Sequence, residues 1–283
     1  MSLRDKLIEM NFGDRFSQGG WLIFQVGEGV KGLNPIFIFT QTIKPEMDYY
    51  VGRKLDDPPI PLHIICSTMY HFGVKSYYCV PSISVNNDTS SITWDTKLFG
   101  IPSTSPYTSL ISTFSNISLR KINYKILRYH IEANQIPLVS LSEEFTKKYF
   151  KLHFQNQFMC EMLDVDGIFW GEKLTYPVEI REVIVIKDKS QREFFEINLG
   201  PHAKLSFYDL KKDKLDALFF VKEINNLTDR QLVNWWWITF KRLAFFSSLA
   251  FFSMRNFRQG GSTTINIPKS QFSLLKCENL SEL

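Results

Sequence analysis

The amino-acid sequence predicts an α/β protein, with a mixed central β-sheet flanked by helices in its second half and a β-rich amino-terminal part. The chain has 283 residues, of which 44% are hydrophobic. That is enough to bury a large core, and it is not the composition of a disordered protein. From about residue 158, strand-like and helix-like runs alternate, as they do in α/β folds. We therefore expect two parts, residues 1–140 and 141–283.

The amino-terminal part contains several runs rich in β-branched and aromatic residues, which are enriched in strands. The runs that predict strands span residues 21–26, 36–42, 62–68 and 77–85. A loop rich in Pro and Ser follows them. After it we expect a helix near residues 107–114 and another at 143–154, for which Ser142 has the properties of a cap.

The second half predicts a more regular succession of elements. The predicted strands span residues 159–170, 176–187, 193–199, 217–224 and 263–267. A short helix is expected at 202–210 and a long one at 229–254, because the latter is rich in apolar residues over many turns. This order predicts a sheet with helices on its faces.

The Trp235-Trp236-Trp237 run lies inside the predicted long helix. Three successive helical residues point in three directions, so we expect at least one buried indole and another that is partly exposed. Core packing is the main interpretation of this run, and base stacking or a subunit contact is the alternative.

The distribution of charge indicates a polyanionic partner, although the formal net charge is only +4. No acid occurs between Asp95 and Glu132, or between Asp229 and Glu278, while both stretches contain several basic residues. Basic patches of this kind are typical of nucleic-acid binding, and a solvated surface or intramolecular ion pairs are the alternatives. The candidate DNA contacts are Arg120, Lys121, Lys125, Arg128, Arg255, Arg258 and Lys269.

Several features predict a cytoplasmic protein. The four cysteines form no CxxC pair, and the chain opens with charged residues instead of an apolar signal segment. The longest apolar run, residues 243–254, is shorter than the roughly 20 residues of a membrane span. We therefore expect no membrane partner.

The strongest chemical signal is a predicted hairpin in which acids interrupt apolar strands, at residues 163–170 and 176–182. If Glu172 and Lys173 form a two-residue turn, antiparallel pairing fixes the register of the two strands.

In this register Asp166 lies opposite Glu179, and Asp164 lies opposite Arg181. Strand alternation places the four side chains on one face, with opposed Cβ atoms about 4.5–5.5 Å apart. Opposed carboxylates repel one another, and a divalent cation such as Mg²⁺ removes that conflict. A solvated face with an incidental acid pair is the alternative.

At these residues the sequence resembles the PD-(D/E)xK nucleases, the restriction-endonuclease-like superfamily, and within it type II restriction endonucleases. Asp166 matches the first acid, and Glu179-Ile180-Arg181 occupies the position of the acid-x-Lys motif. The order of motifs from 193–201, through the Trp235 region, to 260–268 is also similar. The resemblance spans about residues 158–275 and implies a restriction-endonuclease-like core.

The resemblance implies Mg²⁺-dependent hydrolysis of phosphodiester bonds in double-stranded DNA, with Asp166, Glu179 and the Ile180 carbonyl as metal ligands. The family lysine is replaced by Arg181, which cannot deprotonate near neutrality but can bind a phosphate oxygen. Lys204 is the alternative contact to the scissile phosphate. A homodimer is the expected assembly. A non-catalytic nucleic-acid-binding protein of the same fold and an RNA or repair nuclease are the alternatives.

Overall fold

The structure is a computed structural model. It describes residues 1–25, 36–40, 66, 69–70, 74–83, 92–98, 108–109, 160–198, 200, 205, 216–250 and 264–283. Numbered in chain order, the strands are β1 (Phe16–Gln18), β2 (Trp21–Gln25), β3 (Ile36–Thr40), β4 (Lys75–Ile83), β5 (Ile92–Leu98), β6 (Thr108–Ser109), β7 (Cys160–Asp164), β8 (Gly167–Trp170), β9 (Thr175–Val183), β10 (Val185–Lys187), β11 (Glu193–Asn198), β12 (Leu218–Ile224), β13 (Leu232–Thr239), β14 (Thr264–Pro268) and β15 (Ser273–Leu274). The helices are α1 (Leu3–Glu9), α2 (Phe240–Ala250) and α3 (Cys277–Leu280), with 3-10 turns at Gly13–Arg15 and Lys269–Gln271.

The protein is mixed α/β, and in the described residues strands predominate over helices. The chain forms two compact units. The first unit is Gly20–Asp164, and the second unit joins Met1–Gly19 to Val165–Leu283. The predicted boundary at residues 140 and 141 lies outside the described residues.

The first unit contains a mixed sheet in the order β6-β5-β4-β3-β2-β7. Only the β3–β4 pair is parallel among the described strands of this sheet. The strands predicted at 21–26, 36–42 and 77–85 are confirmed as β2, β3 and β4. All five residues of β3 are buried, so both faces of this strand are covered. Its β-branched and aromatic side chains suit such a position.

Two expectations in the first unit are wrong where the structure describes them. Residues 108 and 109 form β6, which pairs with β5, instead of starting a helix near 107–114. Cys66 is helical, although it falls in the predicted strand 62–68. The predicted helix at 143–154 lies outside the described residues.

The second unit contains a central sheet in the order β1-β8-β9-β12-β13-β15. Strands β9 and β12 are parallel, whereas β8–β9 and β12–β13 are antiparallel, so the sheet is mixed as predicted. One face of this sheet carries the main core. The core residues from strands and helices include Leu3, Leu7, Phe169, Tyr176, Val178, Leu218, Phe220, Trp235, Trp237 and Leu280.

Helix α1 begins at a cap that its sequence supplies. The Ser2 hydroxyl accepts a hydrogen bond from the Asp5 N–H at 3.1 Å, and the Asp5 carboxylate accepts one from the Ser2 N–H at 2.9 Å. This reciprocal arrangement satisfies two backbone donors that the helix leaves without partners. Leu3 and Leu7, one turn apart, face the core.

A smaller antiparallel sheet, β10-β11-β14, packs on the opposite face of the central sheet. Phe195 of β11 contacts Trp236 of β13, with ring centroids 6.2 Å apart. Phe195 also meets Phe272 edge-on at 5.0 Å. These aromatic contacts join the two sheets.

The predicted long helix at 229–254 is wrong in its first half. Residues 232–239 form β13, and the chain becomes helical only at Phe240. Alternation along a strand explains the three tryptophans: Trp235 and Trp237 are buried in the main core, while Trp236 is half-buried on the other face.

Two further predicted strands are interrupted. The run 159–170 divides into β7 and β8, which belong to different sheets, and the run 176–187 divides into β9 and β10. The predictions for 193–199, 217–224 and 263–267 are confirmed as β11, β12 and β14.

Candidate functional site

The predicted hairpin is present as β8 and β9. The register pairs Gly167 with Val178 and Trp170 with Thr175. The Gly171 N–H donates to the Leu174 carbonyl at 3.0 Å and closes the turn. The register of β8 and β9 is therefore the predicted one from the Gly167–Val178 pair to the turn. Asp166 lies one residue before β8, and its place opposite Glu179 stays a prediction.

Asp166 lies just before the first residue of β8, and two hydrogen bonds to β9 fix its position. Its backbone N–H donates to the Val178 carbonyl at 3.0 Å. Its carboxylate Oδ2 accepts from the Ile180 N–H at 2.8 Å. The half-buried side chain is therefore held against the backbone of the acid-x-basic segment.

Glu179 is almost completely buried, with 1% of its side chain exposed. Its neighbours on β12 are Phe219 in the same register position and Val221 one step further on that face, and both are fully buried. The charge is balanced by Arg181, whose Nη2 lies 2.6 Å from Glu179 Oε1. A buried carboxylate needs such a partner, because removing it from water without one is costly.

Arg181 reaches from this ion pair into solvent. Strand alternation places it on the same face as Glu179, as the sequence predicted. Its side chain is 45% exposed, so the guanidinium contacts the buried carboxylate and remains accessible to a ligand. Five N–H donors in a planar fork allow a guanidinium to hold two acceptors at once.

The oxygen donors around Asp166 have the chemistry that Mg²⁺ prefers. In an antiparallel pair, the N–H and C=O of one residue point to the same side of the strand, so the Ile180 carbonyl faces the side where Asp166 lies. Asp166 Oδ1 takes no part in the hydrogen bond to Ile180. Two carboxylates, a carbonyl and waters suit a hard divalent cation. These oxygen donors are of the kind that Mg²⁺ prefers, but Arg181 already balances the charge of Glu179, and a Mg²⁺ site here stays a prediction.

No group of three or more His, Cys, Asp or Glu side chains arranged to hold a metal ion occurs in the part of the chain that the structure describes. Mg²⁺ commonly keeps several waters and uses few protein carboxylates.

Asp164 does not face Arg181, and that expectation is wrong. Asp164 ends β7 and pairs with Trp21 in the sheet of the first unit. The chain changes sheet between Asp164 and Gly167, so the alternation assumed for one continuous strand is broken.

Glu182 belongs to a separate ion-pair cluster. Its carboxylate accepts from Lys222 at 2.5 Å and from Arg230. The hydrogen bond from Lys222 is the main cause that lowers the pKa of Glu182, and Arg230 adds to it. The charges of Lys222 and Arg230 are therefore balanced by Glu182 within the protein.

Lys269, a predicted DNA contact, lies at the start of the 3-10 turn after β14 and is 16% exposed. Its Nζ lies 2.8 Å from Glu223 Oε1 and 3.1 Å from Glu193 Oε2. It is also 5.0 Å from the ring centroid of Trp236. The structure thus gives Lys269 an intramolecular role, and its contact with DNA stays a prediction.

The carboxylates shift the pKa of Lys269. Burial lowers this pKa, but the hydrogen bonds to Glu223 and Glu193 outweigh it, so the net effect is a raised pKa. In return, the hydrogen bond from Lys269 lowers the pKa of Glu193. The Trp236 indole N–H donates to the second oxygen of Glu223 at 2.6 Å.

This cluster borders a cavity of about 640 Å³ that no pattern in the sequence predicts. The lining residues are Arg192, Glu193, Phe194, Trp236, Pro268, Lys269, Ser270 and Gln271. They come from β11, β13 and the turn after β14, three segments far apart in sequence. The sequence analysis placed Trp236 in a helix. It therefore did not predict the strand alternation that puts Trp236 on the opposite face of the sheet from the other two tryptophans.

The remaining candidate residues lie outside the described part of the chain. They are Lys204, Arg120, Lys121, Lys125, Arg128, Arg255 and Arg258. Their roles at the phosphate or along DNA stay predictions.

Comparison with protein-family models, with curated proteins and with solved structures found no match. In the described segments, no helix has both the length and the apolar composition to cross a membrane.

Proposed function

We propose that the protein is a Mg²⁺-dependent, sequence-specific DNA endonuclease of the type II restriction class. The observation that carries the proposal is the hairpin of β8 and β9, in which the carboxylate of Asp166, just before β8, accepts a hydrogen bond from the Ile180 N–H of β9. This contact brings an acid beside the acid-x-basic segment Glu179-Ile180-Arg181, as the sequence resemblance implies.

Each residue has a defined task in this proposal. Asp166, Glu179 and the Ile180 carbonyl would hold Mg²⁺, which when bound supplies an activated water and stabilises charge on the phosphate. The hydrogen bond to Ile180 orients Asp166, and the apolar surroundings of Glu179 strengthen its electrostatic interactions.

Arg181 would bind a non-bridging oxygen of the scissile phosphate. A guanidinium holds phosphate oxygens well and stabilises the charge that develops on them. It cannot serve as a general base, because it stays protonated. Lys204 is the second candidate for this contact, and the cleavage rates of Arg181→Ala and Lys204→Ala distinguish the two residues.

Double-stranded DNA is the proposed substrate and a homodimer the proposed assembly. The basic stretch from Arg120 to Arg128 is the proposed phosphate-contacting segment. Each phosphate that is neutralised releases counterions, with a slope of about −0.9 in log K against log salt per contact. Replacing Arg120, Lys121, Lys125 and Arg128 by alanine should flatten this slope in Ca²⁺, and an unchanged slope would remove the segment from the interface.

The proposal is tested by incubating DNA of known sequence with the protein, with and without Mg²⁺. We expect discrete fragments that require Mg²⁺ and whose ends share one sequence context. Fragments without a common context, or cleavage restricted to RNA or to structured DNA, would indicate the alternative of a repair or RNA nuclease. Intact DNA in Mg²⁺ would contradict the proposal.

A non-catalytic nucleic-acid-binding protein is the second candidate. The Glu179–Arg181 ion pair favours it, because a guanidinium already balances the charge that a metal would balance. DNA binding that is unaffected by Mg²⁺, together with intact DNA, would support this candidate over the nuclease.

A further inference from the structure

Helix α2 carries a large aromatic side chain on its exposed face. Phe245 is 60% exposed, whereas Leu243 and Ser247 of the same helix are buried. One face of α2 therefore packs on the protein, and the other faces solvent. The Phe245 ring meets Phe246 edge-on, with ring centroids 5.2 Å apart. This contact supports one edge of the ring and leaves much of it accessible to a partner.

Two basic residues share this exposed face. Lys241 precedes Phe245 by four residues and Arg242 precedes it by three, and side chains at these spacings are neighbours on a helix. Both basic residues are exposed. The sequence of α2 contains no acidic residue. An apolar ring beside two cations is complementary to a polyanion that also offers apolar groups, and nucleic acid has this composition.

Both cations retain donors for a ligand. The Arg242 Nη2 donates to the Gln271 amide oxygen at 3.3 Å, which uses one of the five N–H groups of the guanidinium. Gln271 is neutral, so this contact orients the guanidinium without balancing its charge. The Lys241 Nζ lies 4.0 Å from Asp216 Oδ2, at the limit of an ion pair, and the lysine side chain is 53% exposed. Such a pair is weak, so Lys241 can also reach a phosphate.

Helix α2 begins close to the candidate site. Thr239, the last residue of β13, pairs with Leu218, and Leu218 pairs with Val178. Neighbouring strands lie about 4.8 Å apart, so the backbone of Thr239 is about 10 Å from that of Val178, the residue before Glu179. This distance is about three base steps of 3.4 Å along B-form DNA. Base pairs contacted by α2 would therefore lie near the phosphate at the hairpin.

The dimensions of this helix face fit duplex DNA. The major groove of B-form DNA is about 12 Å wide and admits an α-helix. Arg242 and Phe245 are three residues apart, and at 1.5 Å per residue their positions differ by about 4.5 Å along the helix axis. This is little more than one base step, so the two side chains can reach neighbouring base pairs.

We propose that the exposed face of α2 enters the major groove of duplex DNA and reads its sequence. Arg242 donates to the O6 and N7 atoms of a guanine, and Phe245 contacts the methyl group of a thymine in a neighbouring base pair. Lys241 contacts a phosphate and positions the helix without reading a base. The inference rests on the proposed function, and it names the residues that determine the recognised sequence.

The recognised sequence is measured by selection from duplex oligonucleotides with a randomised central segment. The full chain is incubated with them in Ca²⁺ to avoid cleavage, and the bound duplexes are sequenced. The affinity for the preferred duplex and for its single-base variants is then measured by titration. The variants are Arg242→Ala, Phe245→Ala and Lys241→Ala, all at exposed positions. The control is Arg4→Ala, which removes an exposed arginine from helix α1.

We expect the parent protein to select one preferred sequence. Arg242→Ala should reduce the preference for guanine at one position by about 5–150-fold, the range of one bidentate contact to a base. Phe245→Ala should reduce the preference for thymine at a neighbouring position. Lys241→Ala should weaken binding to all duplexes alike and reduce the slope of log K against log salt by about 0.9. Arg4→Ala should leave the preferred sequence unchanged.

The outcomes separate this inference from the proposed nuclease. The same preferred sequence for the parent protein, Arg242→Ala and Phe245→Ala would overturn the inference and leave the nuclease standing. Equal weakening on all sequences by Arg242→Ala would also overturn it, because that result identifies a phosphate contact. Altered preferences in a protein that leaves DNA intact in Mg²⁺ would refute only the nuclease. The absence of DNA binding by the parent protein would refute both.

Discussion

Replacing Lys269 by methionine should destabilise the protein by about 3–5 kcal/mol. This is the cost of leaving one partner of a buried ion pair without its counter-charge. The estimate follows from three contacts of its ammonium group: Glu223 at 2.8 Å, Glu193 at 3.1 Å and the Trp236 ring at 5.0 Å. Glu223 makes the largest contribution to this loss of stability. Only 7% of its side chain is exposed, and without Lys269 it would keep only the hydrogen bond from the Trp236 N–H among these contacts.

The contribution of Glu193 is smaller. Its side chain is 39% exposed, and an ion pair of that exposure contributes about 0.2–1 kcal/mol. Lys187→Met is the matched control, since Lys187 is 53% exposed and pairs with the same carboxylate at 3.4 Å. We expect this control to lower the free energy of unfolding by less than about 1 kcal/mol.

The assay is urea unfolding followed by tryptophan fluorescence, for both single variants and for Lys269→Met combined with Glu223→Gln. Removing the charge of Glu223 should recover at least about 2 kcal/mol in the double variant, because the two residues contact each other. A loss below about 1 kcal/mol for Lys269→Met, or no recovery in the double variant, would refute the assignment of Lys269 to a buried cluster.

Further predictions concern the hairpin, an exposed ion-pair cluster and one glycine. Arg181→Lys should keep measurable DNA cleavage while Arg181→Ala loses it, as measured by initial rates; equal rates would exclude a phosphate contact. Glu182→Gln should lower stability by about 0.2–1 kcal/mol at neutral pH. Because the native pKa of Glu182 is lowered from 4.5, its contribution is present above that pH and lost as the pH falls through the native pKa; a pH-independent difference in unfolding free energy would contradict this. Gly19→Ala should cost about 3 kcal/mol or more, because a Cβ there would lie 1.6 Å from the Val165 carbonyl oxygen, whereas Gly200→Ala, with no atom within 4 Å, should be neutral or stabilising in the same unfolding assay.

The hairpin could be predicted from sequence because local rules determine it. A two-residue turn fixes the register of its flanking strands, and one apolar face makes any slip costly. The same holds for β12 and β14, which are short apolar runs with clear boundaries. This register also brings Asp166, one residue before β8, next to Ile180.

Other features depend on contacts between distant segments. Nothing local distinguishes a chain that changes sheet after Asp164 from one strand that continues to Trp170, because apolar and acidic residues alternate in the sequence from Leu163 to Asp166. The run from 232 to 250 is mostly apolar, so its periodicity did not separate β13 from α2. The ion pair of Glu223 with Lys269 joins residues 46 positions apart, and no pattern in the sequence links them.

The variant Asp166→Asn tests the proposed metal site and nuclease activity most directly. It keeps the shape of the side chain and an amide oxygen that can accept the Ile180 N–H, but it removes the charge. Two quantities are measured: Mg²⁺-dependent cleavage of DNA, and Mn²⁺ binding by calorimetry in the absence of DNA. The account predicts that the parent protein binds Mn²⁺ and cuts DNA, and that Asp166→Asn loses cleavage and binds Mn²⁺ at least about tenfold more weakly. Cleavage and Mn²⁺ affinity equal to those of the parent protein would contradict it.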